Sequence, residues 1–141
     1  MAIDILFINK IPFVMVSSRN IHFSTTELVK DMKINTLVTS IEQVIQAYQA
    51  RGFKIKAILA DGQFKHIQQI IKQKGITLNI CAANEHIPEI KSYIITIKER
   101  VRSIATMLPF KRYPPQLIIK MVYKCIFWLN SSHTKTAYIQ Q

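Results

Sequence analysis

Cysteine is nearly absent from this chain of 141 residues, and its 2 cysteines, Cys81 and Cys125, lie inside apolar runs rather than in loops. That usage excludes a disulfide framework and fits buried free thiols in a reducing compartment. Neither the cysteines nor the histidines His22, His66, His86 and His133 show the spacing of a zinc knuckle. Asp4 and Lys10 interrupt the opening apolar run, so no secretory signal is visible. The longest apolar stretch, Leu117 to Leu129, is broken by Lys120 and Lys124 and is too short to span a bilayer. No internal repeat and no low-complexity segment is found, and the length is that of one domain.

Acids are the other shortage. Asp and Glu number 8 against 19 Lys and Arg, for a net charge of +11. From Arg100 onward every charged side chain is basic, and Asp61 is the only carboxylate between Glu42 and Glu85. Such a surplus either solvates a surface or neutralises a phosphate backbone, releasing its counterions. Polynucleotide is therefore the expected partner, and no membrane is expected.

What the chain does have is periodicity. Ile3 to Ile8 is apolar and β-branched, Asn9-Lys10-Ile11-Pro12 reads as a turn, and Phe13 to Ser17 resumes the strand. Arg19-Asn20 marks a second turn before a weaker strand, Ile21 to Leu28. The period then changes: Val38, Ile41, Ile45 and Tyr48 recur at helical spacing, with Asn35 or Thr36 as cap and Gly52 past the end. Ile55 to Ala60 reads as a buried strand, His66 to Lys74 as a helix stopped by Gly75, and Ile76 to Ala82 as a fifth strand. Ile90, Ile94, Ile97, Val101, Ile104 and Leu108 form one stripe on a long helix ended by Pro109. Pro114-Pro115 opens a last helix lined by Leu117, Met121 and Trp128 with Ile118, Val122 and Leu129. The order β-β-β-α-β-α-β-α-α predicts an α/β domain with a mixed five-stranded sheet and helices on both faces.

Three acids fall where this order could bring them together: Asp4 in the first strand, Asp61 ending the fourth, and Glu89 opening the long helix. Converging carboxylates repel one another, so a fold tolerates them mainly around a divalent cation. Two such ions roughly 3.5–4 Å apart activate a water or hydroxyl and stabilise the leaving oxygen of a phosphodiester. Each acid also has a plainer reading. Asp4 would be a polar residue near a terminus, Asp61 a turn residue before Gly62, and Glu89 a first-turn acid facing the helix dipole.

The run Ala82-Ala83-Asn84-Glu85-His86-Ile87-Pro88-Glu89-Ile90 resembles the integrase region of copia-type LTR retrotransposon polyproteins. So do Thr96-Ile97-Lys98-Glu99-Arg100-Val101-Arg102, Leu108-Pro109-Phe110-Lys111-Arg112, Met121-Val122-Tyr123 and Phe127-Trp128-Leu129-Asn130. Lys56 to Phe64, with Asp61-Gly62-Gln63, is similar to the family's second catalytic segment, and Ile3-Asp4-Ile5-Leu6 with Asn9-Lys10-Ile11-Pro12-Phe13 to the first. The resemblance implies a ribonuclease H-like fold and a single integrase-core domain over 1–141, a fragment of a larger polyprotein without a zinc-binding N-terminal domain. It also implies that Asp4, Asp61 and Glu89 are the catalytic, Mg²⁺- or Mn²⁺-binding set. The implied reaction is cleavage near element DNA ends and their joining to target DNA, with a nuclear location and a homo-oligomeric assembly. Two alternatives stay open: a decayed domain that keeps only fold and nucleic-acid binding, and a nuclease of the same fold.

Lys111, Arg112, Lys120 and Lys124 are the expected phosphate contacts of the acid-free segment, the last two one turn apart. At about 100° per residue, Tyr93, Thr96 and Arg100 lie within roughly 40° of Glu89, which predicts a DNA-facing line beside the acids. Lys91, Lys98 and Arg102 fall farther round and are expected to be solvated. Glu89 is preferred to Glu85 as third ligand, because Glu85 precedes Pro88 in a loop that does not fix its direction.

Overall fold

The computed structural model describes residues 1–18, 23–81 and 88–139, with the backbone alone for Pro88, Glu89 and residues 132–139. The turn expected at Arg19-Asn20, the start of the third strand, the end of the fifth and the Glu85 loop lie outside the described residues.

Two strands, β1 (Ala2–Ile8) and β2 (Ile11–Ser18), form a hairpin closed by Asn9 and Lys10 alone. Both have positive φ, 50° and 66°. A two-residue loop with both members left-handed matches the right-handed twist of the strands, so the turn is tighter than the four residues expected. Pro12 falls inside β2, opposite Phe7, and its carbonyl accepts a hydrogen bond from the Val29 amide. β3 (Phe23–Leu28) continues the antiparallel meander.

After β3 the connections become helical and the pairing turns parallel, as crossovers require. α1 (Ile34–Gln49) leads to β4 (Ala57–Ala60), a 3-10 segment (Gly62–Ile67) and α2 (Gln68–Gln73) to β5 (Thr77–Ile80). The sheet order is β3-β2-β1-β4-β5, with β1–β4 and β4–β5 parallel. This is the mixed five-stranded sheet the sequence predicts.

Gly52 and Gly75 end the helices as expected, both left-handed at φ 85° and 83°. In each case two amides turn back onto the final turn: Gly52 to Gln49 and Phe53 to Tyr48, Gly75 to Lys72 and Ile76 to Ile71. Only a residue free of the Cβ penalty takes that conformation cheaply. The start of α1 differs from expectation. Lys33 precedes the helix without a side-chain cap, and the Asp31 carboxylate instead accepts from the Lys33 amide.

Strand alternation assigns the two faces of the sheet. Ile3 and Ile5 of β1, Val14 and Val16 of β2, and Ile58 and Ala60 of β4 pack with α1, the 3-10 segment and α2. Leu6, Phe13 and Met15 face the other way, against α3 (Pro88–Met107) and α4 (Pro115–Ile139). α3 buries Ile90, Ile94, Ile97 and Val101; α4 buries Ile118, Met121, Val122, Cys125, Ile126 and Leu129. Trp128 departs from the expected stripe and is 54% exposed, because it falls about 90° from the stripe's centre at ~100° per residue. Among the described residues no helix is long and apolar enough to cross a membrane.

Candidate active site

Alternation also fixes the direction of Asp4. Its neighbours Ile3 and Ile5 point toward α1, so Asp4 points with Leu6 toward α3 and is only 3% exposed. Asp61 follows β4, whose Ile58 and Ala60 point toward α1; its parity is therefore the same as that of Asp4. The parallel register pairs Ala2 with Leu59. Two residues further on along each strand stand Asp4 and Asp61. Two acids distant in sequence are thus neighbours because β1 and β4 are.

One side chain joins them. The Gln63 amide donates through Nε2 to Asp4 Oδ1 at 3.1 Å and to Asp61 Oδ2 at 3.1 Å. Gln63 is placed by local chemistry: Asp61 caps the 3-10 segment, its Oδ1 accepting from the Gln63 backbone amide at 3.2 Å. The Ile5 amide gives a further hydrogen bond to Asp4 Oδ1, at 2.8 Å. Carboxylates are acceptor-only when ionised, so a shared amide donor reduces their mutual repulsion.

The remaining oxygen of Asp4, Oδ2, holds the Lys91 ammonium at 2.8 Å. This hydrogen bond to Asp4 pushes the Lys91 pKa up from its ordinary value, and the charges of Asp4 and Asp61 act in the same direction. The Lys91 side chain is 45% exposed and that of Asp4 5%. The pair therefore spans the surface rather than lying in the core, and solvent screens much of its strength. The sequence predicts a solvated Lys91; the side chain is nearly half exposed, and its ammonium also reaches Asp4.

The other expected residues are distributed over α3, α4 and the connection between them. Glu89 occupies the first turn of α3, about 200° round the axis from Lys91 by helical geometry, and its side chain lies outside the described residues. Tyr93 is half-buried and packs with the cluster under α4, where burial raises its pKa. The Thr96 hydroxyl donates to the Ser92 carbonyl at 3.1 Å. Arg100 lines a groove of about 250 Å³ between α3 and α4, with Lys124, Trp128 and Cys125. Lys111 and Arg112 are exposed on the α3–α4 connection, and Lys120 is exposed on α4. Lys98 and Arg102 share the Lys91 flank and line a second groove, of about 400 Å³, with Phe7, Ile8 and Asn9 at the hairpin end of β1. The structure thus brings Asp4 and Asp61 together, adds Gln63 and Lys91, and sets Arg100 and Lys124 in a separate groove.

The donor set at the acid pair is all carboxylate oxygen, the chemistry a hard divalent cation takes. Asp4 and Asp61 suit Mg²⁺ or Mn²⁺ in that respect. Among the described residues no three His, Cys, Asp or Glu side chains converge, and the third charged group at the pair is the Lys91 ammonium.

No family model matches the chain, and no curated protein does. Among solved structures the chain is similar to the catalytic core domain of BIV integrase, with a TM-score of 0.58 and 16% identity over 96% of each chain. With the mixed sheet and its flanking helices, that likeness defines the fold as the ribonuclease H-like fold of an integrase catalytic core.

Proposed function

We propose that the chain is an integrase-core-type domain acting on DNA, with Asp4 and Asp61 at its phosphodiester-facing centre. The observation that carries this reading is the meeting of two acids from neighbouring parallel strands, tied by Gln63, on an otherwise strongly basic chain. Asp4 and Asp61 would hold Mg²⁺ or Mn²⁺, with Glu89 the proposed third ligand. When bound, the cation would supply activation of the attacking oxygen and stabilisation of the leaving one. Gln63 keeps the two carboxylates in register, and the buried position of Asp4 limits its motion. The sequence resemblance to copia-type retrotransposon integrases supports cleavage of element ends and joining to target DNA as the reaction. Arg100, Lys111, Arg112, Lys120 and Lys124 would take backbone phosphates.

A second reading is favoured by one observation, the Lys91–Asp4 ion pair, which supplies a positive charge without a metal. On that reading the domain binds nucleic acid and performs no chemistry. One experiment separates the two. A duplex carrying a DNA end is titrated with protein at rising salt, then incubated with Mg²⁺ or Mn²⁺ and assayed for nicked and joined products. Both readings expect affinity to fall steeply with salt; products that disappear in Asp4→Asn and Asp61→Asn support the first. Salt-independent binding would sink both.

A further inference from the structure

We propose that the Lys91 ammonium is the built-in counter-charge of the Asp4–Asp61 pair and competes with a divalent cation for it. This rests on the reading of Asp4 and Asp61 as the functional centre, and it adds a residue which that reading does not use.

Each of the four carboxylate oxygens already has a donor. Asp4 Oδ1 accepts from the Ile5 amide and from Gln63 Nε2, and Asp4 Oδ2 from Lys91. Asp61 Oδ1 accepts from the Gln63 backbone amide, and Asp61 Oδ2 from Gln63 Nε2. Among these donors Lys91 alone carries charge, so it does electrostatically what a cation would do: it offsets the repulsion between two adjacent acids. The two differ in chemistry. An ammonium gives hydrogen bonds but offers no open coordination position at which an oxygen could be polarised.

The same pair explains why this counter-charge can be displaced. Lys91 reaches in from α3 on a flexible stem and remains nearly half exposed, so it can leave for solvent without unpacking the helix. Asp4 is buried and stays. Cation binding is therefore an exchange, with Lys91 released as the metal enters, and its free energy is reduced by the ion pair that is broken. Removing the positive charge should raise divalent affinity. Keeping a charge at that position should not.

The test is calorimetric titration of Mn²⁺, without nucleic acid, into the wild-type chain and into Lys91→Gln, Lys91→Arg and Lys91→Gln/Asp61→Asn. Lys91→Ala serves in place of the glutamine variant should that one fail to fold by circular dichroism. We expect Lys91→Gln to bind Mn²⁺ at least about tenfold more tightly than wild type, a difference of ~1.4 kcal/mol. Lys91→Arg should stay near wild type, and Lys91→Gln/Asp61→Asn should lose the gain. Equal affinity of wild type and Lys91→Gln overturns the proposal, as does failure of every variant to bind. Equal Mn²⁺ affinity in wild type and Lys91→Gln sinks the exchange and leaves Asp4 and Asp61 standing as the metal-holding centre, whereas failure of every variant to bind removes that reading too, so the two failures are distinguishable.

Discussion

Gln63 shows how much of the site rests on one neutral side chain. It bonds both acids through one nitrogen while its own backbone amide is held by Asp61. A hydrogen bond to a charged acceptor is stronger than a neutral one, although the exposure of Gln63 reduces that advantage. Gln63→Ala should lower stability by about 1 kcal/mol in urea denaturation at low salt. Restoring an amide with Gln63→Asn should not recover it, since the shorter side chain falls short of Asp4. A Gln63→Ala chain as stable as wild type would show that the bridge contributes nothing in solution. The segment Asp61-Gly62-Gln63 was visible in the sequence as a strand-end turn. The reach of its third residue was not, because that depends on β1 lying beside β4.

At the scale of elements, α3 shows where sequence reading stops. The isoleucine stripe is legible from its steps of three and four, and it is buried as expected. A stripe, however, leaves two flanks, each about 100° from its centre: Glu89 begins one and Lys91 the other. Periodicity says that the stripe faces the sheet. It does not say which flank meets β1, because the docking of α3 on the sheet decides that, and docking is tertiary. Periodicity predicts Glu89, Tyr93, Thr96 and Arg100 as the line beside the acids; among the described side chains of α3, Lys91 reaches Asp4, and the side chain of Glu89 is not among them. The β-meander and the glycine-ended helices were legible because local chemistry specifies them.

β3 is an edge strand, and α4 covers part of its free backbone. Asn130 accepts from the Ser24 amide at 2.9 Å and donates to the Ser24 carbonyl at 2.8 Å, acting as a neighbouring strand would. Asn130→Ala should cost about 1–2 kcal/mol in a denaturant titration. It should also expose an edge able to pair with another chain, seen as concentration-dependent scattering near the midpoint. Unchanged stability would mean that water replaces the amide at no cost. Glu27, on the same strand, is pushed above the usual carboxylate range by burial. An acid raised in the folded state destabilises the fold above its folded pKa, and that penalty disappears below the unfolded one. Glu27→Gln should therefore melt higher than wild type at pH 7, with the gap closing on acidification. A gap that widens toward low pH would reverse the sign of the argument.

For the molecule as a whole, the consequence lies in the seam between β1 and β4. β1 pairs with β2 along its full length, from Ala2 with Ser17 to Ile8 with Ile11, across a two-residue turn. Its other edge meets the four-residue β4 near Ala2, where the Leu59 amide donates to the Met1 carbonyl at 2.8 Å. The meander is a local unit that can form early, while the β1–β4 seam closes a long loop and comes later. The two acids stand on opposite sides of that seam. In native-state hydrogen exchange, Leu59 should exchange at a lower opening free energy than Val14 and Val16 in the meander. Equal protection would make the sheet one cooperative unit. If the seam opens first, the acid pair exists only while two folding units are docked, and any ion that bridges Asp4 and Asp61 also acts as a clasp between them.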